Sequence, residues 1–173
     1  MGIELSNPDA YRQKMFDSIC NQDPLQIIQE TPAKLQQIVT PFSTEQLQSH
    51  PFPGKWSPLE IIGHYVDVEW NFGIRLRFAL CEDNPPFIGY NQDLWVERLQ
   101  HNAEPPQMLL ERFSSIRAMN ILFYQSLTPG QMQRYGTHNE RGKESIETML
   151  KMEAGHDLHH IKQLQTYLAA ISS

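Results

Sequence analysis

The stretch from Ser145 to Ile171, SIETMLKMEAGHDLHHIKQLQTYLAAI, contains no proline and reads as one long helix. At about 100° per residue, Ile146, Met149, Leu150, Met152, Ile161, Leu164, Tyr167 and Ile171 fall on one arc of its surface. Counted from His156, His160 lands at about +40°, inside that arc, and His159 at about −60°, at its edge. His156 and His160 therefore face the core together, one turn apart and able to hold one ion in common.

Working outward, the same construction predicts three further long helices, at Pro24 to Val39 with a break expected at Pro32, Pro58 to Leu80, and Gln107 to Leu127. A shorter N-terminal helix is expected at Pro8 to Cys20 and another at Asp93 to Leu99. Many of the twelve prolines follow a capping residue, as in Asn7-Pro8, Asp23-Pro24, Thr31-Pro32, Ser57-Pro58, Asn84-Pro85 and Thr128-Pro129. A side-chain oxygen followed by proline starts a helix, and Ser57 with Glu60 and Thr128 with Gln131 add the reciprocal capping box. No stretch sustains the period-two alternation of a strand. The fold class expected is all-α, with polar or proline-rich connections at 40–57, 81–106 and 128–144 and one domain over residues 1–173.

Composition narrows the partners. With 40% hydrophobic and 20% charged residues, 173 residues suit a single core. A net charge of −6 disfavours nucleic acid and anionic membrane surfaces. No apolar run reaches the roughly 18 residues of a membrane span, and the start MGIELSNPDA has no leader-like apolar region, so a soluble cytoplasmic protein is expected. The two cysteines, Cys20 and Cys81, form no CxxC pair, which leaves histidine and carboxylate to hold any metal.

On the second long helix His64 falls at the edge of the apolar stripe, while Glu69 falls within it and must find a partner or a cation. Two readings of the histidines stand side by side. They are hydrogen-bonded core residues, since about 0.3 pairs at spacing four arise by chance at this histidine content, or they hold a metal. Three neutral imidazoles would leave open positions on zinc, nickel or another borderline ion. Glu153-Ala-Gly-His156 is the one ExxH in the chain, too few for a di-iron bundle, and HExxH, GxGxxG, GxxxxGK[ST] and GxSxG are absent.

Three separated motifs carry a family resemblance. Gly54-Lys55-Trp56-Ser57 leading into Glu60-Ile61-Ile62-Gly63-His64-Tyr65-Val66-Asp67-Val68-Glu69, then His138-Asn139-Glu140-Arg141-Gly142, then Gly155-His156-Asp157-Leu158-His159-His160-Ile161 resemble the DinB/YfiT-like family in order and content. Asn139 stands where that family usually has proline. The resemblance spans about Leu25 to Leu168. It implies a four-helix bundle of up-down-down-up connectivity, with a divalent metal held by three histidines at the positions of His64, His156 and His160. Relatives that are thiol transferases and isomerases imply a small-molecule substrate and a low-molecular-weight thiol, hence a metal-dependent thiol S-transferase. A metal-dependent hydrolase, or a non-catalytic bundle stabilised by metal or serving dimerisation, are the alternatives.

No catalytic acid or base is assigned. Asp67, Glu69, Glu153 and Asp157 are candidates to orient an imidazole through its other ring nitrogen, although Asp67 and Asp157 are expected to be solvated carboxylates. Trp56 is expected to close the bundle end by packing. Trp70 and Phe78 lie off the main stripe, as at the seam of a homodimer. Arg75, Arg77 and Arg141 receive no role, and His50, His101 and His138 are expected at the surface.

Overall fold

Side-chain caps start several helices where the sequence places them. In the computed structural model, which describes residues 7–171, Asn7 accepts from the Ala10 amide to open α1 (Pro8–Ile19), and Asp23 accepts from Leu25 to open α2 (Pro24–Val39). A capping box at Ser43 and Gln46 opens a short α3 (Thr44–Gln48) inside what was expected to be plain connection. The Ser57–Glu60 box opens α4 (Pro58–Cys81). After α5 (Gln92–Leu99) and α6 (Pro106–Ser126), the Thr128–Gln131 box opens a single turn, α7 (Pro129–Met132), and α8 (Ile146–Ile171) closes the chain. Each cap contributes about 1 kcal/mol by satisfying an amide that the helix itself leaves free.

Pro32 does not break α2. A proline there deprives the Ile28 carbonyl of its helical donor, but Arg117 of α6 supplies a substitute, donating from Nη1 to Ile28 O at 2.9 Å. Asn84-Pro85, in contrast, opens no helix. Asn84 takes a left-handed φ of +50° and the chain turns into a two-residue strand, β1 (Pro86–Phe87). β1 pairs in parallel with β2 (Tyr135–His138), which pairs antiparallel with β3 (Gly142–Ser145). Two to four residues per strand are too few for alternation to register in sequence, so this small sheet was not expected.

α2 packs on α6 and α8, and α4 packs on the same two, so α2 and α4 face each other across the diagonal of a four-helix bundle; α1 lies along α8. The closest approach of α1 is at Gly155, where a Cβ would lie 2.3 Å from the Met15 carbonyl oxygen. The apolar core falls into two clusters, one around Leu59, Ile62, Tyr65, Phe113 and Leu164, the other around Ile28, Leu76, Ala79, Met149 and Ala154. Between them along α4, α6 and α8 come the buried polar residues His64, Glu69, Arg117, Asn120, Glu153, His156, Asp157 and His160. Among the described residues no helix is long and apolar enough to cross a membrane. Trp70 and Phe78 are exposed.

Candidate metal centre

His64 of α4 and His156 and His160 of α8 meet in this polar layer. One side-chain nitrogen from each lies within 4.8 Å of the others, and all three residues are buried. The Nε2 atoms of His64 and His156 are 3.0 Å apart, although the residues are separated by 92 positions. Two nitrogens at about 2.0–2.1 Å from one tetrahedral ion would stand about 3.3 Å apart, so the spacing is close to that of a shared ligand pair. His64, expected at the stripe's edge, is only 1% exposed because Trp56 covers it, with ring centroids 4.8 Å apart. Trp56 also stacks on His160 at 6.3 Å, closing that end as expected. His159 stays half-buried outside the cluster, its ring edge-on to His160.

Hydrogen bonding fixes one imidazole. The Tyr167 hydroxyl donates to the Trp56 carbonyl at 3.1 Å and so accepts from Gln163 Nε2 at 3.1 Å. That leaves Gln163 Oε1 to accept from His160 Nδ1–H at 2.9 Å, and the lone pair of His160 then resides on Nε2. Burial drives the pKa of His64 down to about 3, helped by the charge of His101. Burial likewise holds His156 well below the usual histidine range, with His160 and His64 adding to the effect, and it does the same for His160 with His64 and His159. All three are neutral, the form that coordinates a cation. His156 Nδ1 is buried with no hydrogen-bond partner. Three neutral imidazoles from two helices turn lone pairs towards one buried point, and a divalent cation drawing on those lone pairs fits it.

The carboxylates do something other than orient imidazoles. Arg117, which the sequence reading passed over, is fully buried and gathers three of them. Asp157 binds it through both oxygens, at 2.5 and 3.0 Å, and Glu69 Oε1 lies 2.6 Å from Nη2. Asn120 donates to Glu69 Oε2 at 3.0 Å. Glu153 stands 3.3 Å from Arg117 Nε and accepts from the Tyr124 hydroxyl at 2.9 Å. Burial, then the charge of Glu69, pushes the Glu153 carboxyl well above its usual range. Asp157 is thus a buried ion-pair partner and not a solvated carboxylate. The signal was present on α6, where Arg117 and Asn120 occupy the helical positions between Phe113 and Tyr124 that ought to be apolar.

Asp67 is also buried, pairing with His101 Nε2 at 3.0 Å. His101 is buried as well, lying so close over Gly63 that a Cβ there would meet its Cγ at 2.1 Å. Burial opposes charging His101, but the Asp67 carboxylate and then Glu104 outweigh it and raise its pKa. His138 is buried rather than at the surface, because β2 carries it inward; His50 is exposed and pairs with Glu60, as expected.

His64 and His156 also line a cavity of about 70 Å³, together with Val68, Phe72, Arg75, Tyr90, His138 and Met152. This volume is several times the roughly 10–15 Å³ that one water requires. The triad is thus covered by Trp56 on one side and open to a small ligand on another.

Comparison with known proteins adds the lineage of this arrangement. The model of the DinB superfamily matches residues 27–164. A protein of Oceanobacillus iheyensis, provisionally named a metal-dependent hydrolase, is 28% identical over 137 residues, 79% of each chain. YfiT of Bacillus subtilis, provisionally named in the same way, is 27% identical over 142 residues, 81% of this chain and 79% of its own. The solved structure of YfiT, described as a four-helix bundle of unusual topology, has a TM-score of 0.81 at 24% identity and covers 86% of both chains. A mycothiol-dependent maleylpyruvate isomerase shares the fold with a TM-score of 0.69 at 10% identity, over 86% of this chain and 62% of its own.

Proposed function

The chain belongs to the DinB superfamily, and on that premise we propose that it is a divalent-metal enzyme that joins a low-molecular-weight thiol to an electrophilic small molecule, with His64, His156 and His160 as the metal ligands. The observation that carries the reading is the meeting of three neutral, buried imidazoles from helices remote in sequence, with His160 held by Gln163 so that its Nε2 lone pair is free. Three histidines suit zinc or nickel. When bound, such a cation supplies Lewis acidity and lowers the pKa of a thiol or water taking its open position.

The chain's own residues frame that chemistry. Trp56 and Tyr65 pack against the imidazoles and exclude water from the covered side, Tyr65 anchoring its hydroxyl on the Asp157 carbonyl at 2.8 Å. Val68, Phe72 and Met152 give the open side an apolar wall against which an electrophile can rest. Cys20 and Cys81 are exposed and line no part of the cavity, so the thiol comes from solution. The second reading, a hydrolase in which water replaces the thiol, is favoured by the provisional names of the relatives.

Elemental analysis of the purified protein, repeated with His64→Ala and His156→Ala, tests the ligand set; metal content unchanged by both substitutions would remove it. A panel of electrophiles assayed with and without added thiol separates the chemistries. Turnover that requires the thiol supports transfer, turnover without it supports hydrolysis, and bound metal without either leaves a structural centre.

A further inference from the structure

Along α4 the residues lining the cavity are His64, Val68, Asn71, Phe72 and Arg75, which share one face, with Arg75 three turns beyond His64. Arg75 is buried and donates from Nη2 to the Ile88 carbonyl at 2.6 Å. Among the described residues no carboxylate stands in ion-pair contact with it. Its neighbour Glu144 is already occupied, accepting from Arg141 at 2.6 and 3.1 Å and lying 3.9 Å from Arg12. The carboxylate that lines the cavity, Glu140, is exposed and packs over Gly89. A guanidinium held out of water with no carboxylate in direct contact is expensive to keep.

Opposite it, β2 brings in His138, 1% exposed. Its Nδ1 accepts from the Glu140 amide at 3.1 Å. Burial, then the charge of Arg141, pushes its pKa down to about 4, so the ring is neutral and its one proton sits on Nε2. That Nε2 is buried and has no partner. Tyr11 and Tyr90 line the same space. The cavity thus gathers a buried cation with no carboxylate in ion-pair contact and an imidazole donor lacking an acceptor, which is the complement of an anion.

We infer that this cavity receives a carboxylate of the substrate, with Arg75 as its counterion and His138 Nε2–H as the donor that orients it. The inference deepens the proposed function and rests on it, since the same cavity exposes His64 and His156 to the substrate's reacting end. A planar two-oxygen head matches a guanidinium edge better than a tetrahedral dianion matches one arginine and a neutral imidazole.

The probe is acetate, titrated into the full chain in metal-stripped and metal-loaded form while the His138 imidazole resonances are followed by NMR. A saturable shift of the Nε2–H signal in both forms is expected. Arg75→Met should weaken it about tenfold or more, and Arg75→Lys, which keeps the charge but loses the planar two-donor edge, should weaken it by less. No saturable shift in the wild type, Arg75→Met binding as tightly as wild type, or inorganic phosphate binding more tightly than acetate would each overturn the inference. Should Arg75→Met fail to fold by circular dichroism, the wild-type titration and Arg75→Lys still decide it. Acetate binding to a protein that takes up no metal would sink the proposed metal enzyme and spare the anion site; metal uptake without acetate binding does the reverse.

Discussion

Replacing Arg117 with methionine should be the most damaging single change in the polar layer. The guanidinium is fully buried, held by Asp157 at 2.5 and 3.0 Å and by Glu69 at 2.6 Å. Without it two carboxylates are left buried and unpaired, which costs about 3–5 kcal/mol. At roughly 2–4 °C per kcal/mol for a chain of this size, the Tm should fall by roughly 6–20 °C. Urea unfolding monitored by circular dichroism gives the free energy directly. The penalty should shrink on acidification, because burial already raises the folded pKa of Asp157, which then binds its proton more readily in the folded than in the unfolded state, so stability rises as pH falls towards that value. A second signature comes from Pro32. Arg117→Met also strips the Ile28 carbonyl of its donor, and Pro32→Ala returns a backbone N–H to it. Pro32→Ala should therefore help more in the Arg117→Met background than in the wild type, by about 1 kcal/mol. A loss below about 1 kcal/mol for Arg117→Met, or no such coupling, would refute the account of this layer.

Gln163→Leu removes the acceptor that fixes His160 and should weaken zinc affinity by about 10–100-fold while leaving the fold intact, measured by competition with a chromogenic chelator; unchanged affinity would mean the tautomer is set elsewhere. Because burial lowers the folded pKa of His64 to about 3, against about 6.5 unfolded, its contribution is complete above pH about 6.5 and is lost as pH falls through that window. Metal should accordingly be held while the fold is intact until pH falls towards about 3, and release near pH about 6 from the folded protein would contradict the lowered His64 value. Gly155→Ala drives a Cβ into the Met15 carbonyl 2.3 Å away and should cost about 1–3 kcal/mol by thermal melting, as α1 has to shift off α8.

Periodicity and capping chemistry are local, and they were legible. Apolar residues recurring every three or four positions, with Asp23 and Ser57 caps opening two of the stretches, place the long helices to within a residue or two, and the wheel on α8 separates His160 from His159. Even the buried Arg117 had left a trace, a charge at an apolar position of α6, although nothing local said what it would meet. Strands of two to four residues left none, and with them went the burial of His138.

The amino-acid order alone therefore determined the helices, their inward faces and the two histidines one turn apart, because these depend on neighbours within a few residues. Only the tertiary structure decided that His64 comes within 3.0 Å of His156, that Asp157 and Glu69 share one arginine, and that Arg75 and His138 line one cavity. These pairings join residues 40 to 92 positions apart and depend on how helix faces and a short sheet close around one another. Whether a charged side chain ends exposed or buried is settled by the partner that packing brings to it, and local sequence does not encode that partner.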